Sequence, residues 1–274
     1  MSAPARRARD ALTAHLRSVR RAANLTGSAM AEQLGPGWGQ PKISKIESGR
    51  QMLTEDEVRA WAEVTGSDVA ALLAMHHRAQ HEFETFREAY PAEGGAAGHQ
   101  AAYAAAEQAA TTLFLYQPFI VHALLQTPDY ARAVLSLPGG PVDFGATPDE
   151  VDRMIAERMR RASILYEPGR HLTVLVGEAA LRNAVGTPAV MRHQVAHIAR
   201  LAESLTHARV AVVPLSRCPI LPLHGWEQRD NIISIETTAG DLEIADPDDV
   251  TRYERWAKLL TDAAVTDHIE DLVT

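Results

Sequence analysis

Residues 25–50 have the sequence LTGSAMAEQLGPGWGQPKISKIESGR, which predicts two short helices separated by a glycine-rich turn. Thr26 can cap the first helix, and Gly35-Pro36-Gly37 ends it because glycine and proline are costly in a helix interior. Pro41 suits the first turn of the second helix, and Gly49 supplies its stop. The stretch therefore predicts a helix, a turn and a second helix.

The second predicted helix has an apolar face and a polar face. Ile43 and Ile46 are three residues apart and are expected to face the core. At about 100° per residue, the remaining sides carry short or basic side chains. These predicted outer residues are Gln40, Pro41, Lys42, Ser44 and Lys45. An apolar back with such an outer face is the arrangement of a helix that enters the DNA major groove.

The distribution of charge favours the same interpretation. Residues 1–50 contain nine Lys and Arg residues against three acids, a net charge of +6, whereas the whole chain carries −8. The remaining 224 residues therefore carry −14, and only the N-terminal segment, including Arg50, is expected to be attracted to phosphate. The alternative at this point is an ordinary helical bundle with a solvated basic face.

The stretches LRSVRRAANLTGSAMAEQLG and QPKISKIESGRQMLTEDEVRAWAEVTG resemble the Xre-type, lambda-repressor-like helix-turn-helix module, in which Ile-Glu-x-Gly-Arg closes the recognition helix. The resemblance implies that Glu47 pairs with Arg20 and that Lys42 contacts phosphate. It also implies four base-facing residues, which are Gln40, Pro41, Ser44 and Lys45. Because Pro41 has no hydrogen-bonding side chain, base reading is expected to depend mainly on Lys45 and Gln40.

The rest of the chain predicts a multidomain protein, with an all-α N-terminal bundle followed by an α/β or α+β domain. LTEDEVRAWAEVTG and SDVAALLAMHHRAQHEFETFREAY predict two further helices of the bundle. PAEGGAAGHQ at residues 91–100 predicts a linker, which gives domains at 1–90 and 101–274. Beyond residue 100, predicted strands such as HLTVLV and RVAVVPL alternate with helical segments.

The second domain also resembles a known family. FLYQPFIVHALLQTPDYARAVL, GEAALRNAVGTPAVMRHQVAHIARLAE, VAVVPL, IISIET and DPDDVTRYERWAKLL are similar to the uncharacterised C-terminal domain that follows Xre-type modules in regulators of high-GC Gram-positive bacteria, including the WhiJ-like regulators. The resemblance implies transcription control, often with a small partner protein encoded by a neighbouring gene.

Several polar clusters could add chemistry to this reading. Two groups of histidines could bind a metal. The first is His76, His77 and His81, and the second is His193 with His197, for which Glu178 or Asp246 could supply a carboxylate. In the cluster of Asp246, Asp248 and Asp249, Asp248 or Asp249 is expected to cap the last helix rather than to bind calcium. One hypothesis is a small-molecule pocket between the sheet and the Leu-Leu-Gln-Thr helix, with Tyr116, Gln126, Tyr130 and Arg160 as its candidate residues. The alternative is that Gln126-Thr127-Pro128-Asp129 forms a helix cap and that Tyr130 belongs to the core.

Together these observations predict a DNA-binding transcription regulator, expected to be a dimeric repressor whose C-terminal domain senses a small ligand or a small protein partner. The partners expected are double-stranded DNA and a second copy, with no cofactor, metal or enzymatic activity. No apolar run or signal sequence is present, so a cytoplasmic, nucleoid-associated protein is expected. An antitoxin-like interaction module and a metal-dependent enzyme fused to a DNA-binding domain are the alternatives.

Overall fold

The structure is a computed structural model that describes residues 3–85, 94–237 and 239–273. Its helices are α1 Ala3–Ala22, α2 Gly27–Leu34, α3 Gln40–Glu47, α4 Glu55–Thr65, α5 Val69–Gln80, α6 Ala96–Ala109, α7 Pro128–Leu135, α8 Pro148–Arg161, α9 Glu178–Arg182, α10 Pro188–Ser204 and α11 Pro247–Ala263. Its strands are β1 His81–Thr85, β2 Thr112–Gln117, β3 His171–Gly177, β4 Ala208–Val213, β5 Trp226–Arg229, β6 Ile232–Glu236 and β7 Gly240–Ile244. No described helix is both long and apolar enough to cross a membrane.

Helices α1 to α5 form the N-terminal helical bundle that the sequence predicts. Its core is aliphatic around one fully buried aromatic side chain, Trp61, which packs against Trp38 with ring centroids 6.1 Å apart. A capping box at Thr54 and Glu57 starts α4, and Gly66 ends it in the left-handed conformation. The other core residues include Leu12, Leu16, Met30, Ile43, Ile46 and Leu72.

The C-terminal part is an α/β domain, as predicted, built on a mixed sheet with the strand order β1-β7-β6-β5-β2-β3-β4. Strands β2, β3 and β4 are parallel, and the other pairs are antiparallel. One face of β2, β3 and β4 packs in a core with residues of α9 and α10. On the other face, Trp226, Ile233 and Ile244 pack against α11 through Tyr253 and Leu260.

The last helix of the bundle is shorter than the sequence predicts. The predicted helix over residues 67–90 ends at Gln80, and His81–Thr85 forms β1, which pairs antiparallel with β7. The sequence HEFET alternates with a period of two, and β7 provides backbone hydrogen-bond partners for it. Residues 86–93, which include the first three residues of the predicted linker 91–100, lie outside the described residues. The rest of that predicted linker is not a simple loop, because α6 begins at Ala96.

A layer of buried charges lies on one face of β5 and β7, and we call it the charged layer. Glu227 and Arg229 are two apart on β5, and Asp241 and Glu243 are two apart on β7, so each pair shares one face of the sheet. All four side chains are buried. Helix α6 covers them, with His99 Nε2 placed 3.1 Å from Asp241 Oδ2. This sheet face is therefore both polar and inaccessible to water.

The charged layer is held by ion pairs from several elements. Arg229 donates a 2.9 Å hydrogen bond to Glu243 and stacks over the Tyr103 ring of α6, 4.7 Å from its centroid. From the N-terminal bundle, the buried Arg9 of α1 places NH1 3.6 Å from Glu243 Oε2. Buried ions are costly to desolvate, so removing one partner of such a pair typically costs about 3–5 kcal/mol.

A second contact ties the end of the bundle to the start of α11. Gln80, the last residue of α5, donates a 2.8 Å hydrogen bond to Asp246 Oδ2, and its carbonyl accepts from the backbone N–H of Ala245. Asp246 also caps α11, since its Oδ1 accepts from the N–H groups of Asp248 and Asp249. The cap is thus Asp246 and not Asp248 or Asp249, because Pro247 takes the first helical position and the residue before it becomes the cap.

The ionisation of Glu227 depends on its neighbours. Burial by itself raises the pKa of Glu227, but the 2.8 Å hydrogen bond from His122 and the charges of Arg229 and Arg161 outweigh burial and lower the pKa to about 2. Because this pKa lies below its unfolded value of about 4.3, the carboxylate stabilises the fold above that value. The stabilisation is lost as the pH falls toward 2.

We expect the Glu227→Gln variant to show a weaker dependence of folding stability on acid pH than the wild type. From pH 5 to pH 3 the wild type should lose unfolding free energy on the order of 1 kcal/mol through this carboxylate, and the variant should not. Urea denaturation at each pH measures the difference, with the exposed Glu203→Gln as the matched control. Identical slopes for wild type and Glu227→Gln would contradict the assignment.

Candidate nucleic-acid interface

The turn between α2 and α3 depends on its cap and its glycines. Thr26 accepts a 3.1 Å hydrogen bond from the Ala29 N–H and so starts α2. Gly35 and Gly37 have φ angles of 87° and 88°, in the left-handed region that favours glycine. These residues bring α3 back across α2 and fix the point at which the second helix begins.

Helix α3 has the two faces that the sequence predicts. Ile43 and Ile46 are 2% and 1% exposed and belong to the core of the bundle. The exposed outer residues of α3 are Gln40, Pro41, Ser44 and Lys45. We call these four residues the recognition face. Its back is held by the core, so its exposed side chains are presented on a rigid support.

A charged contact fixes α3 to α1. Arg20 donates two hydrogen bonds to the nearly buried Glu47, with Nε 2.6 Å from Oε1 and NH2 2.9 Å from Oε2. Arg20 NH1 also donates to the Leu25 carbonyl, and Arg17 donates to the backbone carbonyl of Glu47. The hydrogen bonds that Arg20 donates to Glu47 raise the pKa of Arg20. This bidentate pair sets the angle of α3 relative to the rest of the bundle.

Lys42 is engaged within the protein in this structure. Its Nζ lies 2.6 Å from Glu57 Oε1 and 4.2 Å from the centre of the Trp38 ring. These interactions hold the ammonium group between Glu57 of α4 and the Trp38 ring of the turn before α3, so a phosphate contact by Lys42 would first require it to leave Glu57. Arg50 differs, because it is exposed and its Nε donates to the nearby Ser48 hydroxyl at 2.9 Å.

An exposed polar helix on an apolar back, carried by a short bundle of net positive charge, defines a helix-turn-helix DNA-binding protein. The family model described as helix-turn-helix domain matches residues 11–75, so the protein is a DNA-binding regulator of this class. Residues 100–268, more than half of the chain, match the family described as domain of unknown function (DUF5753), and the chain belongs to that family. No curated protein and no solved structure matches the chain.

Of the four residues predicted to line a ligand pocket, the structure brings together only Tyr130 and Gln126 among the described contacts, because both bond the backbone of Val121. Tyr116 and Tyr130 are buried in the cores on opposite faces of the sheet. Gln126 is buried and donates to the Val121 carbonyl, while Arg160 is largely exposed and pairs with Glu157. The four side chains therefore do not surround one cavity in the described structure.

Four of the histidines singled out in the sequence have side chains that the structure describes, and the side chain of His81 lies outside that part. His76 is buried and its Nε2 lies 2.6 Å from the Leu53 carbonyl, while His77 pairs with Glu55. His193 is exposed, and His197 is half-buried, which lowers its pKa. Between these histidines lies Gln194, which is buried and bonds both Thr127 N and Leu125 O at 2.7 Å. The side-chain amide of Gln194 on α10 therefore holds the Leu-Leu-Gln-Thr segment in place.

One group in the described residues has ligand atoms close enough for a metal ion, namely Glu107, His122 and Glu227, whose ligand atoms lie within 4.8 Å of one another. The sequence analysis missed it because the three residues are far apart along the chain. His122 Nδ1 accepts from the Leu124 N–H at 3.2 Å, which assigns the ring proton to Nε2, the atom that donates to Glu227.

A metal ion does not suit that group. Binding through Nε2 of His122 would displace its proton and require a protonated Nδ1 facing the Leu124 N–H. Glu107 is already held by Arg161 through hydrogen bonds of 2.6 and 2.9 Å. The geometry is that of a hydrogen-bonded ion network that extends the charged layer.

We expect Lys45→Ala to reduce discrimination between a selected DNA site and random DNA by about tenfold, because Lys45 is placed to contact bases. Arg50→Ala is the matched variant at a similarly exposed position. It should weaken binding to both DNAs equally and lower the salt dependence by about one counterion, as a phosphate contact does. Fluorescence anisotropy at several salt concentrations measures both effects. An equal loss on both DNAs for Lys45→Ala would contradict a base-reading role.

Proposed function

We propose that the protein represses transcription by binding DNA as a dimer, with its C-terminal domain as the regulatory part. The observation that carries the proposal is the recognition face. Its exposed polar side chains stand on a back that is fixed by Ile43, Ile46 and the Arg20–Glu47 pair. A rigid helix with this pattern suits insertion into the major groove.

Dimerisation follows from the small size of that face. Besides Pro41, which has no hydrogen-bonding group, it offers Gln40, Ser44 and Lys45 for contacts with base edges. So few contacts give weak binding by one copy, whereas two copies on half-sites about one helical turn apart give affinities typical of specific regulators.

A regulatory role for the C-terminal domain is supported by its contacts with the bundle. The Arg9–Glu243 ion pair, the Gln80–Asp246 hydrogen bond and the pairing of β1 with β7 join the two parts. A small ligand or a small protein that changes the C-terminal domain would therefore act on the same elements that position the bundle.

Selection from a random duplex library with the full-length protein tests the proposal. We expect an enriched inverted repeat with half-site centres about 10 base pairs apart, bound by two copies in sedimentation velocity. In a purified transcription assay, a promoter that carries this repeat should lose output when the protein is added.

The Gln40→Ala/Lys45→Ala double variant is the matched control. Both side chains are exposed, so the variant should keep the melting temperature of the wild type and lose the sequence enrichment. The proposal is wrong if the wild type enriches no sequence, binds a single half-site as one copy, or leaves transcription unchanged.

A further inference from the structure

A cleft of about 510 Å³ lies on the outer side of the C-terminal domain, between α11 and the loop that precedes β5. This volume is within the range of small-molecule sites, which are concave and mainly apolar with a few polar groups. The cleft is separate from the recognition face and from the charged layer. Its lining residues are Pro219, Ile220, Leu221, Leu223, His224, Trp226, Arg255, Trp256 and Leu259.

The inner wall of the cleft is aromatic. Trp226 contacts Tyr253, with ring centroids 5.2 Å apart, and Tyr253 contacts Trp256 at 4.9 Å. His224 lies beside both Trp226 and Tyr253. Aromatic walls of this kind bind planar apolar molecules well, because aromatic pairs add a favourable geometry to the area that they bury.

The outer wall is apolar and unusually exposed. Leu221 and Leu223 are 76% and 72% exposed, and Leu259 across the cleft is 42% exposed. Leucines gathered at the mouth of a concave site mark a binding surface more than scattered single ones do. An apolar occupant would remove these side chains from water.

One charged group sets the charge of the occupant. Arg255 is exposed at the cleft, and no carboxylate pairs with it within the described part of the chain. A positive guanidinium on a mainly apolar lining suits an occupant that carries an acidic group.

We propose that this cleft binds a small planar aromatic molecule with an anionic group, whose ring packs on Trp256 and the exposed leucines and whose anion faces Arg255. This proposal names a ligand class for the C-terminal domain, and a regulatory role for that ligand rests on the proposed function. Helix α11, which forms one wall, is capped by Asp246, and this residue accepts the hydrogen bond of Gln80 at the end of the bundle. Occupancy would thus act on the element that joins the bundle to the domain.

The experiment uses the full-length protein without DNA and 1-anilinonaphthalene-8-sulfonate as the aromatic anion. We expect saturable fluorescence enhancement with one site per chain. Arg255→Gln should weaken the affinity about fivefold, as the loss of an exposed charge pair does. Lys258→Gln, a neighbouring exposed cation on α11 that pairs with Asp262, should leave it unchanged. Trp256→Ala should weaken it about tenfold or more, with the melting temperature recorded as a check of folding.

Unsaturable binding, or equal affinities for the wild type, Arg255→Gln and Trp256→Ala, would overturn the proposal. A second copy is the other possible occupant. If Leu221→Ser/Leu223→Ser converts a dimer to a monomer in sedimentation velocity and leaves the affinity for the probe unchanged, the cleft is a contact between copies, and the proposal is wrong. Because the probe is titrated without DNA, this failure is distinct from a failure to select a DNA repeat.

Discussion

Arg9, Glu243 and Arg229 form a chain of buried charges that connects the first helix of the bundle with the centre of the sheet. Each charge has lost its water, and the opposite charges around it provide the compensation that water would otherwise give. The pairing requires α1, β5 and β7 to keep one arrangement, because a displaced partner leaves an unpaired ion in a dry interior. Apolar packing tolerates small shifts more readily than such an ion network does. The position of the bundle on the domain is therefore specified by these charges together with the pairing of β1 with β7 and the Gln80–Asp246 hydrogen bond.

The recognition face is also held in place by a pair of opposite charges, Arg20 and Glu47. Glu47 accepts two hydrogen bonds from Arg20 and so connects α3 with α1, and α1 in turn carries Arg9 into the charged layer. Helix α1 thus contacts α3 on one side and the C-terminal domain on the other. Under the proposed function, this continuity gives a physical route by which a change in the C-terminal domain would reach α3, since one end of the route is a bidentate hydrogen-bonded pair and the other is a buried ion pair.

The parts of the fold that sequence reasoning predicts are those with local signals. The turn between α2 and α3 follows from Gly35, Pro36 and Gly37, and the last helix follows from its periodicity, although its cap was assigned two or three residues too late. Strand β1 is not predicted because HEFET continues a helical segment. Strand β5 is not predicted because WEQR carries charged residues. The structure nevertheless buries the WEQR side chains in the charged layer and the core. The charged layer itself brings together residues from 9 to 243, and no local spacing signals such a contact. The same limit applies to the aromatic cleft, which combines a loop with a distant helix.

The most direct test of this account is a double-mutant cycle on Arg9→Met and Glu243→Gln, measured by urea denaturation of the full-length protein. If the buried pair joins the bundle to the sheet, the coupling free energy should be about 1–3 kcal/mol. A parallel cycle between Arg9→Met and the exposed Asp262→Asn should be additive. A coupling energy between Arg9 and Glu243 within about 0.3 kcal/mol of zero would contradict the account, because the two parts would then be positioned by other contacts.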